Sequence, residues 1–206
     1  GVSGSVGAGS VELDAGPQLT VTGPSGNSLP LAHADTEKNK GPYAGLLGGQ
    51  MPVSTSGSGS NSLPLFLNGG TYRVSGPGGK DVGAFSANLA IGTPLTWSNQ
   101  SSINEIVRTS PLTLTWTGDT RDRVMVIAGL GNDSATKATA GFICMEEASR
   151  GRFTVPASML GNLPTGENGA LILTSLPTAN VTRFNASGIE SGSLIFTTLS
   201  AKLRWL

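Results

Sequence analysis

Residues 112–128, which read Leu-Thr-Leu-Thr-Trp-Thr-Gly-Asp-Thr-Arg-Asp-Arg-Val-Met-Val-Ile-Ala, decide the fold class. The first part alternates, which puts Leu112, Leu114 and Trp116 on one face of a strand and threonines on the other. A polar segment with glycine and aspartate follows and predicts a turn. The apolar run 124–128 then has the length of a strand rather than of a helix. Two short strands separated by a turn are typical of antiparallel β structure.

The same pattern repeats along most of the chain. Further strands are predicted at 18–22, 29–31, 84–91, 95–97, 141–145, 151–155, 170–174, 181–186, 193–198 and 201–205. A hairpin is predicted to join 63–67 to 71–75 through Asn68-Gly69-Gly70, since glycine supplies the positive φ angles of tight turns. A short helix is predicted at 156–160, because proline fits a first helical turn. The sequence therefore predicts an all-β antiparallel sandwich with at most one or two short helices.

The length of 206 residues fits one large β domain or two of about 100 residues each. Gly92-Thr93-Pro94 marks the predicted boundary, so we expect two immunoglobulin-like units in tandem, at 1–93 and 94–206. The alternative is one larger sandwich that shares strands across this boundary. Within the first unit, a loop at about 33–62 is predicted to be mobile, because part of it is rich in serine and glycine.

Composition and charge exclude several classes of protein. The chain has 30 Gly and 12 Pro, which disfavours helical bundles, and its formal net charge is zero, which makes nucleic acid an unexpected partner. No apolar run approaches the roughly 18 residues of a membrane-spanning helix. One cysteine permits neither an internal disulfide nor a cysteine zinc site. We therefore expect no membrane span and no nucleic-acid partner.

No catalytic constellation is visible, so the chain is not predicted to be an enzyme. His33 is the only imidazole, and no Gly-x-Ser-x-Gly elbow lies between a strand and a helix. The glycine-rich segment 76–80 lacks the spacing of a phosphate loop and is interpreted as a hairpin loop. A glycosidase needs only two carboxylates, but nothing in the sequence pairs two across a cleft; Glu146 and Glu147 are adjacent and face opposite ways on a strand. No catalytic residue and no cofactor is predicted.

Three aspartates raise the question of calcium. Asp119, Asp122 and Asp133 lie in turn-like segments, and calcium prefers six to eight oxygen ligands. Arg121 and Arg123 are interleaved with the first two and would oppose a cation. We interpret these aspartates as turn residues that bond local backbone N–H groups, so no metal site is predicted. Whether calcium binds near Asp119 and Asp122 stays open at this level.

The aromatic residues offer one route to a ligand. Trp97, Trp116 and Trp205, with Tyr43 and Tyr72, could form a stacking platform for sugars. Trp116 is in phase with its apolar neighbours, so it is predicted to lie in the core, and Trp97 closes an apolar strand in the same way. Trp205 is the best candidate for an exposed ring. The lone Cys144 lies in a strand pattern and is predicted to be a core residue rather than a reactive thiol.

Several strand and turn motifs support a resemblance. They are Gly70-Thr71-Tyr72-Arg73-Val74-Ser75, Asp81-Val82-Gly83-Ala84-Phe85, Leu95-Thr96-Trp97-Ser98-Asn99, Leu112-Thr113-Leu114-Thr115-Trp116-Thr117-Gly118 and Gly151-Arg152-Phe153-Thr154-Val155-Pro156-Ala157-Ser158. Their order resembles exported proteins of acidobacterial type, over most of residues 11–198. The resemblance implies an immunoglobulin- or fibronectin-like C-terminal half and an exported setting, and it transfers no functional residue.

The function expected from the sequence is that of a non-catalytic exported or cell-surface module, serving adhesion, assembly or spacing. Its ligand-binding residues are not identified by any motif. The alternative is a carbohydrate-binding module. The expected partner is accordingly a protein or a glycan, and the expected location is extracellular or at the cell surface.

Overall fold

The computed structural model describes residues 12–33, 41–45, 47, 49–50, 62–63, 65–165, 168–179 and 181–203. Its strands are β1 (Gln18–Thr22), β2 (Ser28–His33), β3 (Tyr43–Ala44), β4 (Gly49–Gln50), β5 (Ser62–Leu63), β6 (Gly70–Gly76), β7 (Phe85–Ile91), β8 (Thr96–Trp97), β9 (Leu112–Thr117), β10 (Arg123–Asp133), β11 (Ala138–Glu147), β12 (Arg152–Val155), β13 (Asn168–Pro177), β14 (Thr182–Phe184), β15 (Gly192–Leu194) and β16 (Thr198–Leu203). The strand pairs are antiparallel, which confirms the predicted all-β class.

The helical content is small, as expected. The helix α1 (Ala157–Leu160) lies where the proline signal placed it, with Pro156 just before its first residue. Two 3-10 turns occur at Gln100–Ser102 and Ala148–Arg150. Within the described residues, no helix has the length and apolarity needed to cross a membrane.

The chain forms two compact units, and the first changes to the second between Ile91 and Gly92. The first unit contains β1–β7 together with β14 and β15, and the second contains β8–β13 and β16. The hairpin β14–β15 thus leaves the second unit between β13 and β16 and belongs with the first. The predicted tandem of immunoglobulin-like domains at 1–93 and 94–206 stays a prediction. Most of the loop predicted at 33–62 lies outside the described residues.

The first unit is built on a five-stranded sheet in the order β3-β2-β1-β6-β7. The alternation in β7 buries Ala87, Leu89 and Ile91 on one face. The hairpin β14–β15 packs on β7, where the Phe184 ring stacks on Phe85 with a centroid distance of 4.6 Å. This hairpin therefore covers part of the inner face of the sheet.

The predicted hairpin between 63–67 and 71–75 is wrong. Both edges of β6 are already occupied, by β1 and by β7, so no edge is left for a strand at 63–67. The buried Tyr72 instead ties the preceding segment down: its hydroxyl donates to the Phe66 carbonyl at 2.7 Å and accepts from the Asn68 N–H at 2.9 Å. The hairpin that forms joins β6 to β7, and its loop is the glycine-rich segment 77–84. The interpretation of 76–80 as hairpin loop is thereby confirmed.

The second unit is a sandwich of a four-stranded sheet, β11-β10-β13-β16, and a three-stranded sheet, β12-β9-β8. Both sheets contribute to one core, which includes Trp116 from β9, Ile127 from β10 and Leu171 from β13. The alternation read at 112–116 is confirmed, since Leu114 and Trp116 are buried while the threonines face away. Leu160 of α1 is fully buried in the same core.

Candidate functional site

The strands β10 and β13 are apolar on both of their faces. Their inward side chains fill the core, as Met125 and Leu173 illustrate. Their outward side chains, such as Val126 and Ile172, are also apolar, although they face away from that core. A strand that reads as a continuous apolar run is typical of a sheet covered on both sides. Among the described residues of this unit, the three-stranded sheet covers one side of the four-stranded sheet.

The register of the sheet gathers these outward residues into one surface. Directly opposed residues of antiparallel strands share a face, so the cross-strand pairs give complete rows. Across β11, β10, β13 and β16 the rows are Met145–Val126–Thr174–Leu199, Ile143–Ala128–Ile172–Ala201 and Gly141–Leu130–Ala170–Leu203. We call these residues, together with the neighbouring pair Val124 and Leu176, the apolar sheet face.

Much of the apolar sheet face is open to solvent. Ile143 is 72% exposed and Met145 is 64% exposed, and both lie on the edge strand β11. Leu199 and Leu203, on the opposite edge strand β16, are more than half exposed. Among the outward positions of these strands that the structure describes, Glu147 is the only charged residue, and it lies at one end of the surface.

The other sheet of the same sandwich shows the usual arrangement. The outward residues of β9 are Thr113, Thr115 and Thr117, and those of β12 are Arg152 and Thr154. The hydroxyls of Thr113 and Thr154 are hydrogen-bonded to each other across the strands, 2.9 Å apart. A sandwich with one open face is expected to alternate apolar-in and polar-out in this way. The four-stranded sheet departs from this alternation, whereas the three-stranded sheet of the same unit follows it.

The size of the surface is informative. Four strands spaced about 4.8 Å apart and about seven residues of 3.4 Å give a projected area of roughly 450 Å². Soluble monomers rarely expose a contiguous apolar patch above a few hundred Å², and the largest such patch is often functional. At about 25 cal/mol per Å², leaving this area in water forgoes on the order of 10 kcal/mol of hydrophobic stabilisation. Covering the face would recover part of that free energy.

The aspartates considered for calcium are used by their own turns. Asp119 accepts from the Arg121 backbone N–H and forms a two-pronged ion pair with the Arg121 guanidinium, at 3.1 and 2.9 Å. Hydrogen bonds from that arginine lower the pKa of the Asp119 carboxyl. Asp133 accepts from the Thr136 hydroxyl and from the Ala135 and Thr136 N–H groups, which lower its pKa in the same way. Asp122 has a positive φ of 52° in its turn.

No metal centre is assembled from the described residues. Among them, no three His, Cys, Asp or Glu side chains come close enough together to hold an ion. The turn interpretation of Asp119 and Asp133 accounts for their contacts without a metal.

Most of the aromatic residues considered for sugar stacking serve other purposes. Trp97 and Trp116 are 4% and 3% exposed, and Trp116 donates its indole N–H to the Ala148 carbonyl at 2.7 Å. Tyr72 is buried, and the Tyr43 hydroxyl bonds the backbone of Ala15 and Gly16. The core prediction for Trp97 and Trp116 is confirmed. Trp205 lies outside the described residues.

Two further polar regions carry no catalytic geometry. His33 contacts the Gly41 carbonyl through Nδ1 at 3.0 Å and packs its ring against Tyr43. An open cavity of about 440 Å³ is lined by Glu146, Arg150, Arg152, Phe153 and Thr154. It contains one carboxylate, whose distance to the Arg150 guanidinium is 4.0 Å. A single carboxylate beside arginines does not provide the acid and base pair that glycoside hydrolysis requires.

Cys144 lies on the inward face of β11, where its thiol is 3.6 Å from the Met159 sulfur. Burial raises the pKa of this thiol, so the nucleophilic thiolate is scarcer at a given pH than for a free cysteine. We expect this partly buried thiol to react several-fold more slowly with a disulfide reagent at pH 8 in the native protein than in urea. Absorbance of the released thiolate measures both rates. Equal rates in the two conditions would contradict the core assignment of Cys144.

Comparisons with protein-family models, with curated protein sequences and with solved structures find no match to this chain.

The sequence interpretation missed the apolar sheet face. The run 124–128 predicts a strand that is apolar on both faces. A strand of this kind indicates a sheet whose second face is also covered. The same sign is present in Ala170-Leu171-Ile172-Leu173. Ile143 and Met145 alternate with Phe142 and Cys144, so their face could be assigned only from the strand register.

Proposed function

We propose that this protein is a non-catalytic interaction module that docks onto another protein through the apolar sheet face. The observation that carries this proposal is the row Ile143–Ala128–Ile172–Ala201, which is apolar across four strands and open to solvent at its β11 end. Apolar side chains at these positions add nothing to the core of the sandwich, so their role lies outside it. Protein interfaces use such surfaces, with aromatic, methionine and aliphatic anchors inside a polar rim.

The strand order gives this proposal a structural setting. The second unit pairs three strands, β12-β9-β8, with four, β11-β10-β13-β16, which are the strand numbers of a seven-stranded immunoglobulin-type sandwich. This order, together with the sequence resemblance, supports the finer proposal of a fibronectin-like module in an exported or cell-surface protein. An adhesive or assembly role fits an exposed apolar face on a rigid sheet. The carbohydrate-binding alternative loses Trp97, Trp116 and Tyr72 as platform residues, since all three are buried.

A fluorescent probe of apolar surfaces tests the accessibility of the face. We expect 8-anilinonaphthalene-1-sulfonate to bind the folded protein at about 0.1 µM chain, and the double variant Ile143→Lys with Met145→Lys to bind at least about 5-fold less dye, because two charges break the patch. The matched control is Thr117→Lys with Thr154→Lys on the polar outer face of the other sheet, which should bind as the unaltered protein does.

Two results would overturn the proposal. Equal dye binding by the unaltered protein and the Ile143→Lys, Met145→Lys variant would mean that the face is not accessible. Robust turnover on a panel of hydrolase substrates, lost on replacing one carboxylate, would show that the protein is an enzyme. Melting curves recorded by circular dichroism verify that both double variants are folded, since neither changes a core residue.

A further inference from the structure

Two neighbouring rows of the apolar sheet face alternate large and small side chains. In the central row, Ile143 and Ile172 alternate with Ala128 and Ala201. The next row reverses the order, so that between these two rows each large residue lies beside a small one. This row is Gly141–Leu130–Ala170–Leu203. Such a checkerboard presents knobs and holes, which is the arrangement that lets two layers interdigitate.

The checkerboard is complementary to a copy of itself. Consider a two-fold axis that runs parallel to the strands, between β10 and β13. It brings β11 of one copy over β16 of the other, and β10 over β13. Ile143 then faces Ala201 of the second copy, and Ala128 faces Ile172. In the next row, Gly141 faces Leu203 and Leu130 faces Ala170, so a large residue meets a small one at every position of these two rows. In the third row Val126 faces Thr174, and two large residues, Met145 and Leu199, meet at the edges of the interface.

Charge does not oppose this arrangement. The only charged outward residue among the described positions of the sheet is Glu147, on β11. The same axis moves the second copy's Glu147 to the opposite edge of the interface, over the β16 side. The two carboxylates are therefore separated by the width of the sheet, roughly 14 Å for four strands. No unpaired charge is buried at the centre.

The area suits a reversible dimer. The apolar sheet face, four strands wide and about seven residues long, projects roughly 450 Å². A standard protein interface buries about 800 Å² per partner, and smaller interfaces belong to weak or transient complexes. Two sheets that pack face to face do so about 10 Å apart and within about 30° of alignment, which keeps the central rows in register.

We propose that a second copy of this chain occupies the apolar sheet face, in a two-fold dimer that sets Ile143 against Ala201. This inference rests on the proposed docking function and names its partner. Ile143 and Ala201 test this arrangement most directly, because they lie on the two opposite edge strands, β11 and β16. Within one chain they are three strands apart and do not touch.

Sedimentation velocity over about 1 µM to 1 mM chain tests the dimer. The unaltered protein should dimerise with a dissociation constant of about 1–100 µM, in line with its area. Ile143→Lys and Ala201→Glu should each weaken dimerisation at least about 30-fold, because each puts a charge into an apolar contact. Thr117→Lys, on the outer face of the other sheet, is the matched control and should leave the constant unchanged.

Mixing the Ile143→Lys and Ala201→Glu variants tests the pairing itself. A mixed dimer sets the introduced lysine of one chain against the introduced glutamate of the other and keeps the native contact at its second site. We expect the mixture to recover at least about 10-fold in dimer affinity over either variant alone, and more at low salt than at high salt. Circular dichroism before mixing shows that both variants are folded.

Each outcome decides the inference. Recovery in the mixture supports the dimer and its axis. Failure to recover, or a dimer that Ile143→Lys leaves intact, overturns the proposed pairing. An unaltered protein that is monomeric at 1 mM yet binds the dye at this face overturns the second copy as occupant but leaves the docking function standing. A protein that neither dimerises nor binds the dye overturns both.

Discussion

Replacing Trp116 with alanine should destabilise the second unit by about 3–5 kcal/mol, the usual cost of truncating a large buried aromatic residue. Trp116 is 3% exposed and lies in the core shared by the two sheets. Its indole N–H is also bonded to the carbonyl of Ala148, a fully buried residue, at 2.7 Å. The substitution thus opens a cavity and removes one of the two donors to that carbonyl, which keeps only the Gly151 N–H at 3.1 Å. Since a domain is stable by only about 5–15 kcal/mol, this loss is a large fraction of the total.

Two further variants separate the contributions. Trp116→Phe keeps most of the volume but loses the donor, so it should cost about 1–3 kcal/mol. Thr117→Ala, one residue along the same strand but facing solvent, should change stability by less than about 0.5 kcal/mol. Urea unfolding followed by far-ultraviolet circular dichroism measures all three without depending on the tryptophan as reporter. A cost below about 1 kcal/mol for Trp116→Ala would contradict its place in the core.

Gly188→Ala should displace the segment 182–194 from the first unit, at a cost of about 2–5 kcal/mol. Gly188 has a φ of +90°, and a Cβ at this position would come within 1.8 Å of the Asp81 carbonyl oxygen. That oxygen belongs to the backbone, so it cannot move aside as a flexible side chain could. The adjacent Ser187 carbonyl accepts from the Gly83 N–H at 2.8 Å, and this bond should be lost as well. Hydrogen exchange at Gly83 and proteolysis within 182–194 should both accelerate.

Gly26→Ala is the matched control. Gly26 also has a positive φ, of +83°, but nothing lies within 4 Å of the Cβ that alanine would add. It should therefore show only the backbone strain, about 1–2 kcal/mol, without faster exchange at Gly83. If the two substitutions behave alike, the close approach of Gly188 to Asp81 does not hold the hairpin in place.

The fold class followed from local patterns because the side-chain period of a strand is a local property. Alternation in 112–116 assigned the buried face of that strand correctly, and the Pro156 signal located α1. The misplaced hairpin at 63–75 shows the limit of the same approach. Asn68-Gly69-Gly70 has the chemistry of a turn, but the partner of β6 is decided by which strands reach its two edges, and those are β1 and β7.

The candidate site was less accessible to sequence reasoning. Each outward residue of the apolar sheet face is unremarkable alone, because exposed leucines and isoleucines are common. They form a recognisable surface only when Ile143, Ala128, Ile172 and Ala201 lie in one row. That row joins residues that are up to 73 positions apart in the chain. The chemical types of aspartate and tryptophan made them candidates for metal and sugar binding in the sequence. In the structure, Asp119 and Asp133 lie in turns, and Trp97 and Trp116 lie in the core.

The sequence by itself determined that this protein is built of short antiparallel strands, that Trp116 and its neighbours form a core, and that no motif points to catalysis. These properties depend on residues close together in the chain, where periodicity and turn chemistry act. Only the tertiary structure decided that β14–β15 joins the first unit and that four strands present one apolar face. Strand register and packing partners are set by contacts between segments that are far apart in the chain. The free energy of those contacts depends on both segments, so the sequence of one segment does not determine it.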